Sequence, residues 1–254
     1  MEFEIYHYVL FFVAAFFGGF IDAIAGGGGL ICLPALLAAG IPPHAALATN
    51  KLQGVFGTFT AAANFAKKGF VNFSEIWVGI FWTFVGAVIG TTLVLFVNAK
   101  FLNYIIPVLL FAILIYTIFS PNLGVNEVKA KMSIKVFYTV FGVALGFYDG
   151  FFGPGTGSFW TFALIGLLGL GMKKAVAHTK VLNFVSNIVS LVVFLVGGQI
   201  LWVVGLCMAA GQILGGYFGS NLAIKKDAKF IKAIFLFVVF LTTLKLVYDF
   251  YFKA

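Results

Sequence analysis

The sequence contains no arginine: all 16 basic residues of this 254-residue chain are lysines. No guanidinium group is therefore available to bind an anion through two parallel hydrogen bonds. Charged residues make up only 9% of the chain, whereas about a quarter is usual for a soluble domain, so an ordinary soluble domain is excluded. The net charge of +8 does not indicate a nucleic-acid partner, because the lysines lie mostly in short loops between apolar runs, where they set membrane topology.

Catalytic and metal-binding motifs are equally scarce. The two cysteines lie in apolar segments, and the three histidines are scattered with no carboxylate cluster beside them, so we predict neither a disulfide nor a standard metal site. No nucleophile–base pattern is recognisable, because Gly155-Thr156-Gly157-Ser158 is not a nucleophile elbow. We therefore expect no cofactor and no enzymatic activity.

Long apolar runs are what the sequence has in abundance. Hydrophobic residues make up 62% of the chain, and several runs approach the roughly 20 residues that a helix needs to span a bilayer. The composition predicts an all-α integral membrane protein whose main partner is the lipid bilayer. A hydropathy count along the chain gives about eight hydrophobic segments.

The sequence also repeats a pattern of one aspartate, a glycine-rich break and one lysine. The offset between the two copies is 127 residues at the aspartates and 129 at the lysines. Duplicated apolar halves with matching breaks are typical of transporters whose site lies between two repeats. In chain order the elements are Asp22, Gly26–Gly29 and Lys51, then Asp149, Gly153–Gly157 and Lys180.

The apolar runs follow the same order in both halves, which predicts one membrane domain made of a first repeat, residues 1–124, and a second, residues 125–254. The predicted helices of the first repeat cover residues 6–21, 30–39, 45–66, 76–97 and 101–119, with a break at 22–29. Those of the second cover residues 136–148, 158–170, 175–196, 200–223 and 230–252, with a break at 149–157.

Glycines four residues apart predict close helix packing without a ligand role; they are Gly86, Gly90, Gly211, Gly215 and Gly219.

The first two pieces of each half fit either a broken helix that crosses the membrane or a re-entrant hairpin. Eight crossings would divide the loop lysines almost evenly between the two sides, whereas two hairpins leave only Lys100 and Lys253 on the side opposite the others. The arms, of about 10 to 16 residues, are also shorter than the ~30 Å core. We predict two inverted repeats, each a re-entrant helical hairpin plus three transmembrane helices, with both termini outside.

The glycine-rich tips of these hairpins are candidate anion-binding elements. Unwound backbone at membrane depth is tolerated only against protein or a water-filled cavity. Its free N–H groups, and the helix N-terminus that follows, both favour an anion. A tight turn whose glycines merely let two helices approach is the alternative. The candidate residues are Gly27, Gly28, Gly29, Gly155, Thr156 and Gly157.

Lys51 and Lys180 are the candidate charged ligands. A lysine inside the membrane is costly unless it is paired or faces a cavity, although one near a helix end can extend to the interface instead. We predict that both bind substrate, and Gly54 and Asn187 would lie on the same helix faces. Polar neighbours predicted to bind with the lysines are Asn50, Gln53, His178, Thr179 and Asn183.

Asp22 and Asp149 lie just before the two tips. They would carry a coupling proton or ion, pair with Lys51 and Lys180, or hold the break by accepting hydrogen bonds from local backbone N–H groups. The sequence leaves these roles open.

Several of these motifs together characterise one known family. They are Gly19–Asp22 with Gly26–Gly29, Leu33-Pro34, Gly40–Pro42, Ala46–Lys51, Gly153–Gly157 and Ala175–Lys180. With them the chain resembles the sulfite exporter TauE/SafE family of membrane transporters over nearly its whole length, more specifically in the first half than in the second. The resemblance implies export of sulfite, or of an organosulfonate such as sulfoacetate, across the bacterial inner membrane. Sulfur is implied by the family alone.

These observations predict a secondary transporter of a small anion, with alternating access around a midplane site between the repeats and a homo-oligomer as a possible assembly. The alternative is a carrier or channel for another small solute, or for a cation held by Asp22 and Asp149. A membrane-embedded enzyme lacks a catalytic constellation here. A non-transporting subunit is disfavoured by the paired intramembrane charges.

Overall fold

The computed structural model describes residues 3–119 and 129–226, and within these ranges every regular element is an α-helix. The helices are α1 (Ile5–Ala25), α2 (Gly29–Ala38), α3 (Pro43–Lys67), α4 (Phe73–Phe96), α5 (Ala99–Phe119), α6 (Ile134–Phe151), α7 (Thr156–Leu168), α8 (Met172–Gly197) and α9 (Trp202–Lys225). The predicted helix over residues 230–252 and the predicted boundary after residue 124 lie outside the described residues.

The prediction of an all-α integral membrane protein is confirmed. In the described part of the chain, α1, α4, α6, α8 and α9 are long and apolar enough to cross a membrane. Helix α3 has 25 residues but is less apolar, because its buried face carries Asn50, Lys51 and Gln53. Large exposed side chains such as Phe81 and Phe218 point outward, as expected for a surface covered by lipid.

The first arm of each predicted hairpin is longer than expected. Helix α1 has 21 residues, about 31 Å of helix, and α6 has 18, about 27 Å. The prediction that all arms are shorter than the ~30 Å membrane core was therefore wrong for α1. Helix α6 has more residues than predicted but stays just below that length, and α2, with 10 residues, and α7, with 13, are short. Both aspartates lie in the last helical turn rather than in the break. A carboxylate there opposes the helix dipole, and a lysine from another helix offsets that cost.

The second arm of each pair folds back along the first. Cys32 on α2 approaches the carbonyl oxygen of Ala14 on α1 with a sulfur–oxygen distance of 3.8 Å. The backbone N–H of Lys131, just before α6, donates to the carbonyl of Leu167 near the end of α7 at 2.8 Å. The reversal of the chain between α1 and α2 needs glycine. Gly26, with φ +83°, and Gly27, with φ +110°, adopt a backbone conformation that other residues rarely reach.

These short second arms lie inside the protein. Leu33 and Leu36 of α2 and Trp160 and Leu164 of α7 are fully buried in the apolar core. Protein, rather than lipid, therefore surrounds the unwound ends of α2 and α7, which is the condition under which irregular backbone is tolerated at membrane depth.

The two halves of the sequence interlock through glycine contacts. A Cβ atom at Gly215 of α9 would collide with the carbonyl of Phe16 on α1, and one at Gly90 of α4 would collide with the carbonyl of Phe147 on α6. The packing role predicted for the glycines spaced four apart is thus confirmed. Helix α1 of the first half is held by α9 of the second, and α6 of the second half by α4 of the first.

Candidate functional site

The two glycine tips are in direct contact. Ser158 Oγ donates a hydrogen bond to the carbonyl of Gly26 at 3.4 Å. A Cβ atom at Gly157 would lie 2.8 Å from Gly26 Cα, and one at Gly29 would lie 3.1 Å from Pro154 Cα. The N-termini of α2 and α7 therefore begin beside one another, with glycine as the residue that permits this approach.

Two lysines reach this junction from α3 and α8 and pair with aspartates of the opposite half. Lys51 Nζ lies 2.6 Å from Asp149 Oδ1, and Lys180 Nζ lies 2.9 Å from Asp22 Oδ2. The two lysine residues are 1% and 0% exposed. A buried ammonium group requires such a partner, because an uncompensated charge is strongly unfavourable away from water. The formal charges of the four side chains cancel.

The second oxygen of each aspartate has a different partner. Asp149 Oδ2 accepts a short hydrogen bond from the Ser186 hydroxyl, whereas Asp22 Oδ1 accepts one from the backbone N–H of Gly28 at 3.4 Å. The Asp149 side chain is 5% exposed and the Asp22 side chain 16%. Asp149 is therefore enclosed by side chains, and Asp22 is tied to the first glycine tip.

A polar cavity lies beside these pairs and holds about 450 Å³, its opening included. Gln53 Oε1 and Asn183 Oδ1 are buried there without a hydrogen-bond partner among the described residues. Since buried polar atoms are normally satisfied, these amide oxygens are available to accept a hydrogen bond from water or from a donor group of a bound solute. The lining residues are Asp22, Gly27, Gly28, Gly29, Asn50, Lys51, Gln53, Gly54, Thr58, Asp149, Gly153, Gly155, Gly157, Asn183, Asn187 and Gln212.

Most of the residues predicted from the sequence meet at this cavity. Lys180 reaches it through its ion pair with Asp22. Thr156 does not line it, because its hydroxyl donates to the carbonyl of Gly153 within the tip at 2.6 Å. The predicted residues that line the cavity are Asp22, Gly27, Gly28, Gly29, Asn50, Lys51, Gln53, Asp149, Gly155, Gly157 and Asn183.

His178 and Thr179 point away from the cavity. His178 Nδ1 is hydrogen-bonded to the Tyr138 hydroxyl at 2.8 Å, and Thr179 Oγ1 lies 3.1 Å from Thr161 Oγ1. Residues one or two positions before Lys180 on α8 lie on other faces of that helix, whereas positions three or four residues away share its face. Adjacency to Lys180 in the sequence therefore predicted the cavity-facing residues of α8 poorly, and helical spacing predicts them better.

Three positions of the candidate site were not predicted from the sequence. Thr58 lies seven residues after Lys51, two turns along the same face, so helical spacing could have identified it. Ser186 lies six residues after Lys180 and was obscured by the apolar residues around it. Gln212 enters from α9, where the glycine pattern predicts packing only.

Comparison with known proteins agrees with these observations. The model of the family described as sulfite exporter TauE/SafE matches residues 11–246. A "Probable membrane transporter protein" of Haemophilus influenzae is 45% identical over 94% of each chain. The "Probable membrane transporter protein YfcA" of Escherichia coli K12 is 44% identical over 95% of this chain and 89% of its own length. No solved structure matches significantly. The chain therefore belongs to the sulfite exporter TauE/SafE family and is a multi-pass bacterial membrane transporter.

Proposed function

We propose that this transporter exports a small sulfur-containing anion, such as sulfite or an organosulfonate, by alternating access around the cavity between its two halves. The observation that supports it is the presence of two buried ammonium groups where two glycine tips touch. Sulfite is included as a substrate because the family is described as sulfite exporters. The names of the relatives indicate membrane transport and specify no substrate.

The donors around the cavity suit a compact oxyanion. Lys51 and Lys180 supply positive charge, the tips supply backbone N–H groups next to helix N-termini, and Asn183 and Gln212 supply amides. Lysine makes single contacts rather than the two-pronged contacts of arginine, so we expect a moderate affinity that allows release. A cation would have to compete with both ammonium groups, just as an anion must compete with both carboxylates, so the ion pairs favour neither; the backbone N–H groups beside the two helix N-termini favour the anion over the cation alternative.

The membrane topology in this proposal has two inverted repeats with re-entrant hairpins whose tips meet near the midplane. The returning arms α2 and α7, the contact between the tips and the uneven distribution of loop lysines support it. The tight glycine contacts join helices of different repeats. We therefore propose that the moving bodies are the α1–α9 unit together with α3 and the α4–α6 unit together with α8, because α3 packs against α9 and α8 against α4. The tip contact and the crossed ion pairs then lie between the two bodies.

Flux through the purified protein in proteoliposomes tests this function. In the double variant Lys180→Gln with Asp22→Asn, which keeps the cavity neutral, efflux of radiolabelled sulfite or sulfoacetate should fall roughly 10- to 100-fold, as expected for losing one charge-assisted hydrogen bond. The matched control is Lys174→Gln with Glu75→Gln, which removes a partly exposed ion pair of the same kind at 2.7 Å, also made by α8. The control should transport normally.

Two results would contradict the proposal. One is flux of inorganic cations without flux of any tested anion, which would favour the cation carrier. The other is equal anion flux in both double variants, which would remove the ion pair of Lys180 from the transport site. Folded protein is checked for each variant by a monodisperse elution profile.

A further inference from the structure

We propose that the Asp22 carboxylate competes with the substrate anion for the same hydrogen-bond donors, and that anion binding releases Asp22 with uptake of one proton. Asp149, the matching residue of the second half, remains on Lys51 throughout. This inference rests on the proposed function, because it concerns the same cavity. It assigns the coupling role to one aspartate of the two.

The contacts of Asp22 resemble those of a bound oxyanion. One carboxylate oxygen accepts from Lys180 Nζ at 2.9 Å, and the other accepts from the backbone N–H of Gly28 at 3.4 Å. An ammonium group and an N–H group at a helix N-terminus are the donors that a sulfonate or sulfite would use in this cavity. An external anion can therefore take the Gly28 N–H, and the Lys180 N–H that Asp22 now occupies, only after the Asp22 side chain has left them.

The equivalent aspartate is held differently. Asp149 bonds to Lys51 at 2.6 Å and to the hydroxyl of Ser186, and neither partner is a tip amide. With the 129-residue offset of the lysines, the counterpart of Ser186 in the first half is Gly57, and the space beside Gly57 is filled by the amide of Gln212. The hydroxyl that secures Asp149 thus has no equivalent beside Asp22.

The charge of the cavity requires compensation when an anion enters. Two lysines and two aspartates cancel, so an added anion would leave an unbalanced buried negative charge. A proton from solvent that binds the Asp22 carboxylate restores neutrality, while the anion takes the place of that carboxylate on Lys180 and Gly28. The groups that face Asp22 and the cavity from the neighbouring helices are Lys180 on α8, Cys32 on α2, Lys51 on α3, Asp149 on α6, and the uncharged Gln212 on α9 and Gly157 on α7.

Calorimetric titration of the detergent-purified full chain with methanesulfonate tests the inference, because this anion stays fully charged and itself neither takes up nor releases a proton when it binds. Paired titrations in buffers of different ionisation enthalpy count the protons taken up. The wild type should take up one proton per anion, and its affinity should fall about tenfold per unit rise in pH. Asp22→Asn should bind without proton uptake, and more tightly than the wild type at neutral pH, because the asparagine carries no charge.

The neutral double variant Lys51→Gln with Asp149→Asn is the matched control: it removes the other ion pair without changing the net charge of the cavity, so it should retain proton uptake whatever affinity remains. Proton uptake by Asp22→Asn, or its loss in the double variant Lys51→Gln with Asp149→Asn, would overturn the inference and leave the proposed function intact. Absence of anion binding by the wild type would contradict the proposed function itself. If Asp22→Asn does not fold, infrared difference spectra decide instead. A protonated carboxyl band should appear when the anion binds to the wild type and to the double variant Lys51→Gln with Asp149→Asn, and its absence overturns the inference.

Discussion

Lys51 on α3 lies 2.6 Å from Asp149 at the end of α6, although 98 residues separate them in sequence. The relationship is reciprocal, since Lys180 on α8 pairs in the same way with Asp22 at the end of α1. Each lysine thus takes its partner from the other half of the chain. The pairs join the two halves beside the cavity, and any motion that separates the halves there must break or rearrange them.

Removing one partner of the buried Lys51–Asp149 pair should destabilise the protein more than removing both partners. Lys51→Gln leaves the Asp149 carboxylate buried without its countercharge, so we expect a loss of about 3–5 kcal/mol in the free energy of unfolding. The double variant with Asp149→Asn should recover most of that loss, because no unpaired charge remains. Lys174→Gln, which breaks the partly exposed pair with Glu75, should cost less than about 1 kcal/mol. Denaturant titrations in detergent measure all three, and equal losses in the two single variants would contradict the expectation.

A disulfide across the two tips should lock the transporter. A Cβ atom at Gly29 would lie 3.5 Å from Pro154 Cβ, and Cβ atoms about 3.5–4.5 Å apart suit a disulfide. We expect Gly29→Cys with Pro154→Cys to cross-link under mild oxidation, to stop flux in proteoliposomes, and to regain flux on reduction. The single substitutions Gly29→Cys and Pro154→Cys, which keep the native Cys32 and Cys207, are the controls. Unchanged flux in the fully cross-linked protein would show that the tips need not separate.

Cysteine labelling in intact cells distinguishes the hairpin from a crossing helix. In the proposed topology the start of α1 and the loop after α2 lie on the outer side, so Glu4→Cys and Pro42→Cys should both react with a membrane-impermeant maleimide. Lys68→Cys, at the end of α3, should react only after permeabilisation. All three positions are exposed. Labelling of Glu4→Cys and Pro42→Cys from opposite sides would mean that the segment formed by α1 and α2 crosses the membrane. Helix α1, with 21 residues, is long enough to do so.

Close packing at the glycine contacts should be sensitive to one methyl group. Gly215→Ala places a Cβ against the carbonyl of Phe16, and we expect a loss of about 1–3 kcal/mol in the free energy of unfolding. Gly166→Ala, in open space on α7, should instead stabilise by about 0.5–1 kcal/mol, because alanine favours the helix. Thermal unfolding measures the difference. A Gly215→Ala protein as stable as the wild type would show that α1 and α9 separate easily.

The local features were predictable because short-range chemistry encodes them. The long helices were located within about four residues of their ends, the usual uncertainty of helix boundaries being one or two. Gly26 and Gly153 marked the tips because positive φ angles there require glycine. The lengths of α1 and α6 were underestimated, because Asp22 and Asp149 read locally as helix-breaking residues. Their lysine partners come from distant helices.

The sequence by itself therefore determined the membrane setting, the helical class, the two glycine tips and the family, since run length, glycine chemistry and motif spacing are properties of nearby residues. Only the tertiary structure decided that the ion pairs cross between halves, that His178 faces Tyr138 rather than the cavity, and that Gln212 completes the lining. The physical reason is that these contacts depend on which faces of separate helices meet. That choice is made by packing over the whole chain, where glycines permit close approach and a buried charge requires a partner.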